Sequence, residues 1–307
     1  MNTVRKHQSG STRTWFARDF DGIDLDVVAA KKQLSRVSVV IPALNEGATI
    51  TEIVRRIRGH AVDGRPLVDE LIVSVDAETN DDTAELARAA GAEVVTASAG
   101  TATNGGGGKG ATMWRGLSRC TGEIVCFHDA DLTKYSDGFV PRLIWPLLLD
   151  DEIDLVKGFY DRGPEPSRVT EFVARPLLAL MFPELAGVIE PLAGEYAMRA
   201  TVANSLEFAG GYGVDLGLLL DVYRRRGPSA IGQVELGVRF GRRHGTDRIR
   251  LMAAEVLQAA LHRLPESIPE HQPVLQWFTR AEGEWRHEFR ELPTTVAVPP
   301  ERHVRPA

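Results

Sequence analysis

The sequence predicts an α/β protein built on a doubly wound, mostly parallel sheet. Three observations carry that expectation: short β-branched runs recur at 37–41, 70–75, 91–95 and 123–127, helical segments follow at 48–58, 81–90 and 111–119, and turns join them in regular alternation. The first run, VSVVI, is closed by Pro42 and followed by a segment whose apolar residues share one helical face. The second, ELIVSV, leads through a loop at 76–80 into a helix with an acidic first turn, where the helix dipole favours negative charge. The third leads into the loop TASAGTATNGGGGKG.

Past Asp131 the alternation weakens. Residues 139–149 read as a helix, 154–159 as a strand, and 168–180 as a helix after the breaker-rich DRGPEPS; a glycine-rich bend at 209–213 precedes a helix at 214–223, a strand at 231–240 and a helix at 249–264. This is a mixed lobe. Residues 1–12 are polar and are expected to be disordered, with Trp15, Phe16 and Phe20 docking a short arm. The prolines after residue 266 predict a loosely packed tail. The expected division is a 1–30 extension, two halves at 31–160 and 161–265, and a 266–307 tail.

The 307 residues are 43% hydrophobic, enough for one large α/β domain or one domain with a lobe. A net charge of −6 argues against a sequence-independent nucleic-acid binder, and a small anionic substrate would need local Arg and Lys. Cys120 and Cys126 flank the turn into an apolar strand and read as small core residues, a usage that suits a reducing cytoplasm. No stretch approaches the roughly 20 apolar residues of a membrane helix, and the first residues lack an apolar signal core, so a soluble cytoplasmic protein with no membrane partner is expected.

The chemistry concentrates where the strand at 123–127 ends, in His128, Asp129, Ala130 and Asp131. Alternation points Asp129 and Asp131 the same way at the sheet edge where α/β proteins bind ligands. Two close carboxylates repel unless a cation sits between them, so the pair reads either as a metal-diphosphate site or as a turn cap. Gly105 to Gly110 matches neither a Walker loop nor a dinucleotide fingerprint, yet Lys109 at a helix N-terminus is placed to meet a phosphate. The alternative is a surface loop. Glu46 in Pro42-Ala43-Leu44-Asn45-Glu46 is suited to a base or ribose, or to helix capping with Asn45 as cap, and Asp76 is equally ambiguous. Doubly wound topology brings these three loops together.

The segments VSVVIPALNE, DELIVSVDAETNDDTAELA, GKG and EIVCFHDAD resemble the nucleotide-sugar half of GT-A glycosyltransferases. RVTEFVARPLLAL, EPLAGEYA and GYGVDLGLLLD resemble the glucosyl-3-phosphoglycerate synthase family in particular, and together the matching segments span 37–257. The resemblance implies a GT-A-like fold with a nucleotide-sugar-binding half and an acceptor-binding half. It assigns the nucleotide sugar to Pro42, Ala43, Leu44, Glu46, Asp76, Lys109, Asp129, Ala130, Asp131, Tyr212 and Arg239, and the acceptor phosphate to Ser167, Arg168 and Thr170. Asp131 is implied as the metal ligand, with Asp215, Leu192 and Lys109 as catalytic groups. Three departures stand out. Ser167 replaces a glycine, Asp215 replaces a longer Glu, and Gly241 falls where a metal-binding His is expected, leaving His244 as a shifted candidate ligand.

The implied activity is a retaining transfer of glucose from a nucleotide diphosphate sugar, UDP-glucose by expectation, to 3-phosphoglycerate, with Mg²⁺ or Mn²⁺ as cofactor. The partners are then the nucleotide-sugar donor and a small phosphorylated acceptor, with a homodimer as a possible assembly. The departures keep open a sugar transferase of specialised metabolism with a different small acceptor. A catalytically inactive nucleotide-sugar-binding protein is the reading from another class.

Overall fold

The computed structural model describes residues 7–9, 12–21, 23–33, 35–62, 67–96, 108–163, 167–241, 245–266 and 274–291. In chain order the strands are β1 His7–Ser9, β2 Thr12–Trp15, β3 Val37–Ala43, β4 Glu70–Val75, β5 Glu93–Thr96, β6 Ile124–Phe127, β7 Leu132–Lys134, β8 Leu155–Asp161, β9 Tyr196–Arg199, β10 Ile231–Val238, β11 Phe240–Gly241, β12 Val274–Ala281 and β13 Glu284–Glu291. The helices are α1 Leu25–Lys32, α2 Ile50–Val62, α3 Thr83–Ala90, α4 Lys109–Leu117, α5 Phe139–Leu149, α6 Arg175–Met181, α7 Ala200–Ala203, α8 Val214–Arg226 and α9 Thr246–Leu261.

Among the described residues nine strands form one sheet in the order β1-β2-β10-β8-β9-β6-β3-β4-β5. The expected parallel half is present, with β6, β3, β4 and β5 running the same way. β9 runs antiparallel to both neighbours and so joins this half to the parallel pair β8 and β10. Alternation along β6 divides the core in two: Ile124 and Cys126 pack on one face of the sheet with α2 and α5, Val125 and Phe127 on the other with α4, α8 and α9. Burial on both faces is why β3 and β6 read as nearly continuous apolar runs. In α2, Ile50, Ile53, Val54 and Ile57 repeat at helical spacing and are fully buried.

Two expected elements are interrupted where they meet the cleft. The 231–240 strand divides into β10 and β11, with a register shift between Glu235 and Val238 and Gly237 at φ 92°. Such a bulge re-aims the next side chains, here Arg239. The 168–180 helix opens into a wide turn at Thr170–Ala174 before α6, with Pro176 at the start of that helix. Proline has no N–H to continue the tighter ladder, which accounts for the widening.

Near both ends of the chain the described residues include strands that composition does not indicate. His7–Ser9 and Thr12 belong to strands rather than to a disordered arm, and β2 adds to the main sheet beside β10. The aromatic arm does dock: Trp15 is 1% exposed and Phe20 is buried. The 266–307 tail contains the β12–β13 hairpin, anchored by Arg280 on Glu235 at 2.6 Å and by Trp285 edge-on to Phe159. Cys126 is a buried free thiol and Cys120 a half-buried one, as expected of core residues.

Because Trp15 on β2 is buried in the core packed on one face of the sheet, Trp15→Ala leaves a cavity and should destabilise the fold by about 3–5 kcal/mol. Urea unfolding measures it; a loss below about 1 kcal/mol would show that β2 is dispensable to the core.

Candidate active site

The C-terminal ends of β3, β4 and β6 open onto one edge of the sheet, facing the N-termini of α4 and α8. A cleft of about 690 Å³ lies there. The structure places Pro42, Ala43, Leu44, Glu46, Asp76, Lys109, Asp129, Ala130, Asp131, Ser167, Leu192, Tyr212, Asp215 and Arg239 around it. Residues separated widely in sequence meet because the three loops and the second half share this edge. Arg168 and Thr170 are not among the lining residues: Arg168 is exposed, and Thr170 is buried with its hydroxyl unpartnered among the described residues. His244 lies outside the described residues.

The ambiguous loop residues have definite partners. Asn45, at φ 57°, accepts from the Asn80 backbone N–H through its side chain instead of capping α2; the Glu46 carbonyl receives the Thr49 and Ile50 N–H groups there. Asp76 accepts from the Glu78 N–H at 3.0 Å and from the Thr112 hydroxyl at 2.8 Å, tying the end of β4 to α4.

At the cleft floor five charged residues interlock. Lys109 Nζ lies 2.8 Å from Asp129 Oδ1 and 2.8 Å from Asp215 Oδ2. Arg239 Nη2 reaches Asp129 Oδ2 at 3.0 Å and Asp131 Oδ1 at 3.1 Å. Both acids thus reach one guanidinium, which supplies a cation between them, although β6 ends at Phe127 and Ala130 and Asp131 lie in a turn rather than in a continued strand. Burial opposes charge on Lys109, but Asp129 and Asp215 outweigh it and hold the ammonium protonated well above the ordinary lysine range. Burial likewise pushes Asp129 up, and Lys109 with Arg239 wins, drawing it well below the usual carboxylate range. Asp215 goes the other way: burial dominates and raises it despite Lys109.

Two glycines are required by this packing. A Cβ on Gly194 would stand 2.2 Å from both Asp129 carboxylate oxygens. One on Gly241 would stand 2.1 Å from Arg239 Nη1, so the glycine departure at 241 is what leaves room for this guanidinium position.

Several site residues escaped sequence reasoning. Arg162 lines the cleft and pairs with Glu190 at 2.8 Å; Arg248, from α9, lines it while stacking over Tyr212 at 4.8 Å. Lys157 and Glu195 lie buried beneath it. Single arginines on polar segments carry no local signal, and Glu195 follows a short turn, Pro191 to Gly194, without periodicity. Burial, then the charge of Asp129, pushes the Glu195 carboxyl up to about 8. His128 is fully buried, and burial lowers it to about 3, as for a neutral core histidine beside Tyr135.

A hard divalent cation fits this donor set in a specific way. Among the described residues no group of three or more His, Cys, Asp or Glu side chains is arranged to hold a metal. Mg²⁺-type sites need only one or two carboxylates when a diphosphate supplies further oxygens. Asp131, with Asp129 beside it, meets that requirement; Gly241 offers no side-chain ligand atom.

Residues 38–187 match the family model described as glycosyl transferase family 2. Glucosyl-3-phosphoglycerate synthase of Mycobacterium tuberculosis (strain ATCC 25618 / H37Rv) is 44% identical over 261 residues, covering 80% of this chain and 79% of that protein. This chain belongs to the glucosyl-3-phosphoglycerate synthase family. The synthase of Mycolicibacterium smegmatis is 42% identical, with 84% and 86% covered. A crystal structure of the M. tuberculosis synthase in complex with Mn²⁺, UDP-glucose and phosphoglyceric acid is similar at TM-score 0.73 and 43% identity, covering 80% of this chain and 86% of that one. Its complex with Mn²⁺, UDP and glucosyl-3-phosphoglycerate gives TM-score 0.73 at 41% identity, covering 89% and 93%. The sheet is therefore the GT-A-like α/β fold of this synthase family, and no helix among the described residues is long and apolar enough to cross a membrane.

The Glu195 environment has a pH consequence. The folded state retains the carboxyl proton up to about 8, whereas the unfolded chain releases it near 4.5, so the stability this group contributes is present below 4.5 and lost as pH rises through about 8. Glu195→Gln removes the titration, and its stability relative to the native chain should improve steadily from pH 5 to about 8. Urea midpoints across that range measure the trend, and a pH-independent difference would refute it.

Proposed function

We propose that this chain is a metal-dependent glycosyltransferase that moves glucose from UDP-glucose to the hydroxyl of 3-phosphoglycerate with retention at the anomeric carbon. The observation that carries this reading is the Lys109 bridge between Asp129 and Asp215, which joins the diphosphate end of the cleft to its sugar end in a chain of this family.

In this reading the nucleotide lies along Pro42 to Glu46 and Asp76, with Tyr212 facing it across the cleft. Asp131, beside Asp129, would hold the divalent cation, which supplies neutralisation of the leaving diphosphate when bound. Lys109 and Arg239 present fixed positive charge to the same oxygens. Asp215 accepts hydrogen bonds from sugar hydroxyls, and the Leu192 backbone carbonyl assists the acceptor hydroxyl, as the family resemblance implies. As the bond from the anomeric carbon to phosphate breaks and the new carbon–oxygen bond forms, the acceptor proton passes to the departing phosphate oxygen on the same face.

A second reading is favoured by one observation at the acceptor end. Ser167, Arg162 and Arg248 line the cleft, whereas Arg168 and Thr170 do not. A different small phosphorylated acceptor held by those arginines is the alternative.

The test is turnover of UDP-glucose with Mn²⁺ and 3-phosphoglycerate, beside glycerate as the dephosphorylated control. Product should form with the first and far more slowly with the second. Asp131→Asn keeps the shape and removes the charge, so donor affinity measured by calorimetry with metal should fall on the order of tenfold. Donor binding without any transfer to 3-phosphoglycerate would shift the assignment to the alternative acceptor.

A further inference from the structure

Beneath the cleft, on β8, Lys157 is only 1% exposed and does not line the cavity. A buried ammonium is costly unless a partner compensates for lost hydration. Its Nζ donates to the Ala193 carbonyl oxygen at 2.6 Å and lies 4.3 Å from the centre of the Tyr196 ring. Burial draws it down to about 8, with Asp215 the largest opposing influence.

Among the described residues, three carbonyls of the turn at 190–195, those of Glu190, Ala193 and Glu195, accept hydrogen bonds. The Ala193 N–H donates to the Glu190 carbonyl at 3.0 Å, and the Gly158 N–H, next to Lys157 on β8, donates to the Glu195 carbonyl at 2.8 Å. Gly194 packs against the Asp129 carboxylate, where no side chain would fit. Between these restraints the Leu192 carbonyl accepts no hydrogen bond among the described residues, and Leu192 lines the cleft with Lys109 and Asp215. Of the carbonyls left unclaimed in this turn, that of Leu192 belongs to a cleft-lining residue, beside an Ala193 carbonyl held from below.

We propose that Lys157 is a positioning residue for glucosyl transfer: by holding the Ala193 carbonyl it sets the adjoining peptide so that the Leu192 carbonyl serves the attacking hydroxyl of the acceptor. This rests on the glucosyl-transfer reading above. The carbonyl takes only the hydrogen bond; the proton leaves with the diphosphate oxygen as the bonds exchange. A loss of aim at the reacting atoms lowers the rate of the chemical step more than the binding of either substrate.

Lys157→Met keeps the length of the side chain and its contact with Tyr196 while removing the donor. The folded variant, checked by near-UV circular dichroism, should bind UDP-glucose within about twofold of the native affinity and show a similar KM for 3-phosphoglycerate. Its kcat should fall on the order of tenfold to hundredfold. Lys157→Arg retains a cationic donor and should recover part of that kcat. If the Met variant does not fold, Lys157→Gln takes its place, with the same expected split between kcat and KM. An unchanged kcat in a folded neutral variant, or a loss confined to KM, overturns the proposal. The native chain is assayed alongside: absence of product there retires the acceptor assignment, whereas native product with an unimpaired variant retires the role of Lys157 alone.

Discussion

The sharing of Asp129 between Lys109 and Arg239 is the constraint on which the site depends. Its four side chains with Asp215 come from the start of α4, the end of β6, the start of α8 and the bulge after β10, so both halves of the sheet must close for the charges to pair. Buried charges are expensive when left unpaired, and breaking one partner leaves another stranded. The same packing demands Gly194 against Asp129 and Gly241 beside Arg239.

This arrangement also determines how an anionic donor meets the protein. Both cations are already neutralised by carboxylates, so a diphosphate must compete for them instead of entering an empty positive pocket. A divalent cation held by Asp131, with Asp129 beside it, would supply positive charge to the diphosphate there and ease that competition. Asp215, one methylene shorter than the Glu implied by the family resemblance, stays engaged with Lys109 at 2.8 Å. Arg162 and Arg248 also line the cleft, whereas Arg168 does not.

Legibility followed local periodicity. The strand at 70–75 and the helix at 139–149 matched their expected bounds because alternation or helical spacing persists through each. β9 was missed: it has four residues, follows Pro191 and Gly194, and is a strand because β6 and β8 leave a slot that its backbone fills. β2 and the β12–β13 hairpin were missed for a related reason. Their order comes from pairing with β10 and from anchors such as Arg280 on Glu235, partners distant in sequence.

By itself the sequence determined the α/β class, the edge where chemistry gathers, and the acid pair and lysine placed there, since each depends on neighbours within a few residues. Only the tertiary structure decided which charges meet. Lys109 and Asp215 are 106 positions apart and Arg239 and Asp129 are 110, and no local preference extends over such separations. The exposure of Arg168, the burial of Lys157 under the Ala193 turn and the unpartnered Glu195 carboxyl belong to the same class. They are consequences of how the two halves pack around β9, where desolvation and long-range pairing outweigh anything a short stretch of chain encodes.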